Sequence, residues 1–215
     1  MKHQIVPVTP FQQNCSLVWC EQSGKGAVID PGGDVDRILA AAQANDVTIE
    51  QIWLTHGHID HVGGAVALAE KLGVEIIGPH EDDNFWLDSL GNQSQMFGFP
   101  MLAAFTPARY LNEGDTLSVG NEQFEVLHTP GHTPGHVVLF HRQQKLAFVG
   151  DVLFHGSIGR TDFPMSNHQD LIHSITQKLW PLGSDVEFVP GHGPGATFGD
   201  ERRSNPFVAD QVLQG

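Results

Sequence analysis

No feature constrains this chain more than seven residues in its first third, Thr55-His56-Gly57-His58-Ile59-Asp60-His61. Three histidines and an aspartate at these offsets form a metal-ligand pattern. A solvated polar loop is the plainer alternative, and it does not account for the spacing. The segment follows an apolar run at 49–54 that reads as a buried strand, so the strand delivers the histidines to the edge of a sheet. His56 and His58, two apart in an extended loop, point to one side and can hold one ion. Gly57 lets the backbone turn tightly between them. Asp60 and His61 enter the helix that follows and project towards a neighbouring ion. Imidazole and carboxylate donors of this kind suit Zn²⁺.

The rest of the chain alternates strand and helix. Residues 14–20 and 26–29 read as strands around a turn at 22–24. Asp30-Pro31-Gly32-Gly33 stops the second strand. Asp34 then reads as the N-cap of a helix carrying Val35, Ile38, Leu39 and Ala42 on one face. Val62, Val66, Ala69 and Leu72 repeat at helical spacing, and Gly73 closes that helix. A short strand at 76–77 and a helix over about 81–90 follow, and 91–107 reads as an irregular excursion over a site. Strands are expected at 123–127, 136–140, 145–149 and 187–189. A helix is expected over 169–179, with Leu171, Ile172, Ile175 and Leu179 as its apolar stripe. Strands and helices thus recur in two halves, which would pack sheet against sheet with helices outside.

Four donors from one segment cannot complete two ions. The remaining candidates lie at later strand ends. Pro130-Gly131-His132-Thr133-Pro134-Gly135-His136 sits between two strands, Gly150-Asp151 follows a third, and Gly191-His192-Gly193 follows the last. In each case a polar residue stands beside glycine just past an apolar strand, where sites on α/β scaffolds are commonly built.

In their order along the chain, these segments resemble the metallo-β-lactamase superfamily, and within it the glyoxalase II-like hydrolases. The resemblance runs from Asp30 to Asn205-Pro206-Phe207. It implies an α/β fold, a four-layer αββα sandwich, with residues 1–215 as a single domain. It further implies that His56, His58 and His132 bind one ion, that Asp60, His61 and His192 bind a second, and that Asp151 bridges them. Two divalent ions are then expected, zinc first, with iron or manganese as alternatives. Many secreted β-lactamases of this fold carry cysteine where this chain has Asp151, which points away from antibiotic hydrolysis. Gly159-Arg160-Thr161-Asp162-Phe163 resembles a segment shared by small glyoxalase II-like proteins and persulfide dioxygenases, both of which handle glutathione derivatives. Standard glyoxalase II enzymes add a C-terminal helical domain with basic residues for the glutathione carboxylates. With its last residue at Gly215, this chain is expected to lack that domain.

The implied reaction is hydrolysis of a glutathione thioester of the S-lactoylglutathione type by a hydroxide held between the ions, which also stabilise the oxyanion. Asp60 is expected to orient that hydroxide or take a proton, besides serving as a ligand. Asp30 reads as an acceptor for a ligand imidazole. Arg160 reads as a substrate-binding residue, or else as an ion-pair partner of Asp162. His136 and His128 read as structural, and His155 as a residue that could line the pocket. Phe85-Trp86 and Met96-Phe97 are either core packing or an apolar wall over the site. The competing readings are a mononuclear-iron persulfide dioxygenase, a lactonase or other ester hydrolase, and a metal-binding module without turnover. The size of the donor set argues against the last.

Composition narrows the partners. A net charge of −14 repels phosphate backbones, which excludes nucleic acid as the expected partner. Thirteen histidines against two cysteines favour imidazole and carboxylate ligands. Cys15 and Cys20 read as lying on opposite faces of one strand, so two reduced thiols are expected. No run of 18 apolar residues occurs and the N-terminus has no signal-peptide core. A cytoplasmic address and no membrane partner are therefore expected, while the resemblance implies a small-molecule thioester substrate.

Overall fold

Five strands form the first sheet of the computed structural model, which describes residues 1–213: β1 (Lys2–Val8), β2 (Gln13–Trp19), β3 (Lys25–Ile29), β4 (Thr48–Trp53) and β5 (Glu75–Ile77), side by side in that order. β1 to β3 are antiparallel, and β3 to β5 are parallel. Parallel neighbours need crossovers. Helix α1 (Val35–Ala44) makes the first, and α2 (Ile59–Val62) with α3 (Ala65–Leu72) makes the second. Helices α4 (Asn84–Asp88) and α5 (Leu90–Phe97) then lead towards the second sheet. That sheet holds β6 (Thr116–Val119), β7 (Glu122–His128), β8 (Val137–His141) and β9 (Leu146–Gly150). After a small hairpin of β10 (Leu153–Phe154) and β11 (Ser157–Ile158), the chain returns as β12 (Glu187–Pro190) and β13 (Ala196–Thr197). The spatial order is β13-β12-β9-β8-β7-β6, with β12 parallel to β9.

Three apolar layers hold these sheets together. Val18, Ile29 and Trp53 face Phe124, Val126 and Phe148 across the inter-sheet gap. Trp53 meets Phe124 edge to face, with centroids 5.0 Å apart. Ile38 and Leu68 pack on Leu17 and Ile52 outside the first sheet. Outside the second sheet, α6 (His168–His173) and its π-helical continuation Ser174–Leu179 lay Leu171, Ile175 and Leu179 on Phe140 and Val149, joined by Phe198 of α7 (Phe198–Ser204). A last short helix, α8 (Asp210–Leu213), follows. The layers run helix, sheet, sheet, helix, as expected for the αββα sandwich.

Several local expectations are corrected. β1 lacks an apolar pattern because only Val6 and Val8 of this edge strand are buried. Pro7 is tolerated there because an edge strand leaves one side of its backbone unpaired. Asp34 holds the expected N-cap position of α1 but makes no side-chain cap: its φ of 47° is left-handed, and its Oδ2 accepts from Thr9 N at 2.7 Å. The helix expected after Asp60 breaks at Gly63-Gly64, where a Cβ at Gly63 would meet Gly32 O at 2.5 Å. Backbone packs directly on backbone here. The helix expected over 81–90 is a 3₁₀ turn, Glu81–Asp83, followed by α4, and α5 occupies part of the stretch read as irregular. Cys15 and Cys20 are free. Among the described residues, no helix is long and apolar enough to cross a membrane.

Candidate metal centre

β3 and β4 end side by side, and the first fixes the loop that leaves the second. Thr55 N donates to Asp30 Oδ1 at 2.7 Å, and Thr55 Oγ1 donates to Asp30 Oδ2 at 2.6 Å. Asp30 has φ 52°, a left-handed conformation that Asp tolerates better than most residues. The same Oδ2 lies 2.9 Å from His61 Nδ1. A carboxylate acceptor there places the ring proton on Nδ1 and frees Nε2 for the site. The expected role of Asp30 beside a candidate ligand imidazole thus has a geometric basis.

His56, His58 and His132 converge on one point. His58 Nδ1 lies 3.2 Å from His56 Nε2 and 3.0 Å from His132 Nε2. Burial holds all three rings below the ordinary histidine pKa. Three neutral imidazoles so close together cannot satisfy one another with protons alone. A tetrahedral zinc with nitrogens at about 2.0–2.1 Å sets its donors roughly 3.3–3.4 Å apart, close to this spacing. His132 is oriented from behind, its Nδ1 lying 2.8 Å from Arg160 O.

Asp60, His61 and His192 form a second group. Asp60 Oδ2 is 3.1 Å from His192 Nε2 and 3.8 Å from His61 Nε2. Asp151 stands between the groups. Its Oδ1 is 3.3 Å from His61 Nε2, while its Oδ2 is 3.6 Å from His132 Nε2 and 3.8 Å from His192 Nε2. Burial alone would raise the Asp151 carboxyl, but His61 beside it holds it far below the usual range. Burial alone would lower His61, but Asp151 and Asp60 hold it well above its ordinary value. Among the described residues, His61 Nε2 and Asp151 Oδ1 are buried without a hydrogen-bond partner. Buried polar atoms are normally paired, so orphans on a carboxylate-imidazole cluster fit cation binding. The donor set thus fits two adjacent divalent cations. Gly191 is required for this closeness, since a Cβ there would overlap Asp151 Oδ1 and His61 Cε1.

His136 stands outside both groups, its Nε2 accepting from Asp151 N at 3.1 Å and its ring stacked on His56. His128 meets Pro134 O through Nε2 at 2.9 Å. His155 faces the buried Glu201 instead of the pocket, at 3.1 Å, while Phe154 lines the cavity. Arg160 lines the cavity, but its guanidinium is engaged with Asp162 through contacts of 2.9 and 2.8 Å and lies over the Phe163 ring. Of its two readings, the ion pair is the one the geometry displays.

Two supporting residues escape the sequence reading. Asp83 Oδ2 accepts from Gly57 N at 2.7 Å and Thr133 Oγ1 at 2.9 Å, and its Oδ1 accepts from Gly135 N at 2.5 Å. It ties the His56–His58 loop to the His132 loop. Burial pushes its carboxyl up to about 7, although the three donors pull the other way. Gln93 Oε1 accepts from Ile59 N at 2.9 Å, at the start of the helix that carries Asp60 and His61. The only trace of Asp83 in the sequence is its place in the acidic run Glu81-Asp82-Asp83, and Gln93 leaves none.

A cavity of about 600 Å³ opens over these groups, with His58, Asp60, His132, Asp151 and His192 at its base. Phe85, Trp86, Met96 and Phe97 do form an apolar wall along it.

Comparison with known proteins gives the family. The model of the metallo-beta-lactamase superfamily matches residues 8–192, a span that ends on His192. Hydroxyacylglutathione hydrolase GloC of Haemophilus influenzae is 49% identical over 209 residues, covering 97% of this chain and 98% of that protein. The crystal structure of BLEG-1 B3 metallo-beta-lactamase superposes with a TM-score of 0.89 at 33% identity, covering 96% of this chain and 99% of that one. The structure of TTHA1623 in a di-iron-bound form gives a TM-score of 0.87 at 36% identity, covering 95% and 100%. On the extent of these matches and the fold they share, the chain belongs to the metallo-beta-lactamase superfamily.

Proposed function

We propose that this chain is a metal-dependent thioester hydrolase of the glyoxalase II type, acting on a glutathione thioester such as S-lactoylglutathione. One observation carries the reading: seven donors from four separate loops converge on two adjacent points, with Asp151 facing both. We assign His56, His58 and His132 to one cation, Asp60, His61 and His192 to the other, and Asp151 to both. The thioester substrate follows from the likeness to GloC. Residues 1–215 are proposed to act as one domain, in the cytoplasm. Zinc is proposed first, and the di-iron form of TTHA1623 makes iron the alternative.

When bound, such cations lower the pKa of a shared water and polarise the carbonyl under attack. The chain's own residues do the rest. Asp60, held ionised by His61 and His192 against the effect of burial, opens onto the cavity and can orient the attacking water or accept its proton. Water adds to the carbonyl carbon, the carbon–sulfur bond breaks, and the thiolate leaves without a dedicated acid. Asp30 and Asp83 hold the donor loops in place through the hydrogen bonds described above. No cysteine takes part: neither Cys15 nor Cys20 lines the cavity, and buried Cys15 has its thiol pushed well up, chiefly by burial.

The test is release of glutathione from S-lactoylglutathione by the purified protein and by His58→Ala, with a metal analysis of both. The account expects turnover only in the wild type. Undiminished turnover by His58→Ala would refute it. A second reading, lactam hydrolysis, is favoured by the likeness to BLEG-1. Faster turnover of a penicillin than of the thioester would establish that reading instead.

A further inference from the structure

We propose that the cavity over the metal centre binds the acyl part of the substrate and selects acyl groups larger and more apolar than lactoyl. The inference rests on the thioester-hydrolase reading and adds the substrate class. Its basis is the chemistry of the cavity wall. α4 supplies Phe85 and Trp86, α5 supplies Met96 and Phe97, and the β1–β2 loop supplies Phe11. Phe11 stacks on Phe99, with centroids 5.5 Å apart, and meets Phe97 edge-on at 6.4 Å. The apolar surface reaches the proposed ligands: Trp86 packs edge-on against His58 at 4.4 Å, and Phe163 does so at 5.2 Å. An acyl chain whose carbonyl sits at the metal centre therefore meets aromatic rings at once.

The same side chains are open to solvent. Phe11 is 45% exposed, Phe85 46%, Phe97 39% and Met96 76%. Large apolar residues clustered at the mouth of one cavity mark a binding surface, whereas scattered ones carry no message. The cavity of about 600 Å³ falls within the range of ordinary small-molecule sites. Its floor is the metal centre, so its occupant is the substrate.

Charge separates the two ends of a glutathione thioester. The glutathione end carries two carboxylates. Among the described residues, Arg160 is the one lysine or arginine side chain on the cavity wall, and it is engaged with Asp162. Among the described residues, the acidic groups on the wall are Asp60 and Asp151, which face the proposed ligand histidines. Little attraction is left for the two carboxylates of the thiol part, while the apolar wall offers substantial burial to the acyl group.

The experiment is a series of straight-chain S-acylglutathiones, acetyl to octanoyl, with kcat/KM measured on the metal-loaded wild type. Each buried methylene is expected to raise kcat/KM about fourfold until the wall is covered. Phe97→Ala and Met96→Ala, both at exposed positions, are expected to flatten that slope. A second series holds the acyl group at octanoyl and replaces glutathione by the uncharged thiol N-acetylcysteamine. A change of less than about tenfold is expected there. A flat or falling wild-type slope, or a loss of more than about a hundredfold with the uncharged thiol, overturns the inference. Thioester hydrolysis with a flat slope would leave the catalytic reading standing, whereas no hydrolysis of any thioester would remove both.

Discussion

Replacing Asp30 by asparagine tests how the donor loop is held. Asparagine also tolerates the left-handed backbone at φ 52° and has nearly the same volume. The change therefore isolates the second carboxylate oxygen. In the native protein Oδ1 accepts from Thr55 N, while Oδ2 accepts from Thr55 Oγ1 and faces His61 Nδ1 at 2.9 Å. An amide has one acceptor oxygen. If it stays on Thr55 N, the amide NH₂ faces His61 Nδ1, and the ring loses the acceptor that sets its tautomer. Hydrogen bonds to a charged group contribute about 1.5–3 kcal/mol each, and a buried donor left unpaired costs about 1–3 kcal/mol. Asp30 is 3% exposed, so solvent does not compensate. The expected loss is about 2–4 kcal/mol of unfolding free energy. Metal affinity at the Asp60–His61–His192 group is expected to fall about 10- to 100-fold. Denaturant unfolding and competition with a chelator measure the two effects. Wild-type affinity for both ions, with a stability change below about 0.5 kcal/mol, would refute the reasoning.

Two further outcomes are expected. Asp83 has a folded pKa pushed up to about 7, above the roughly 3.9 of an unfolded aspartate, so the folded state holds a proton that the unfolded state has released. Its contribution to stability is full below about pH 4 and is lost as pH rises through 7, a swing of a few kcal/mol at most. The wild type minus Asp83→Asn difference in unfolding free energy should fall between pH 5 and 8, and a difference that is constant or rising contradicts this. Phe124→Ala, at a fully buried position between the sheets, should cost about 3–5 kcal/mol in denaturant unfolding without changing metal content. A cost below about 1 kcal/mol would contradict its place in the core.

The legibility of this molecule in its sequence follows the range of its interactions. His56, His58, Asp60 and His61 lie within one loop and one helical turn, so their spacing carries the geometry. His132, Asp151 and His192 are marked by glycines just past apolar strands, because their loops must pack tightly; the overlap that a Cβ at Gly191 would cause shows why. Asp83 and Gln93 leave no such mark. Asp83 reaches partners 26 and 52 positions away, and Gln93 reaches Ile59 34 positions back. Contacts at that separation leave no local period. β1 is illegible for another reason, since an edge strand with two buried residues shows no alternation. Asp34 reads as a cap by residue type, yet its carboxylate is taken by Thr9 in another segment.

The most direct test of the two-cation account is a titration of metal-depleted protein with Zn²⁺, followed by S-lactoylglutathione turnover and by direct measurement of bound metal. The account predicts no turnover without metal, and activity that rises until two ions are bound per chain. Full activity in the metal-depleted protein, or full activity with a single ion bound, would contradict it.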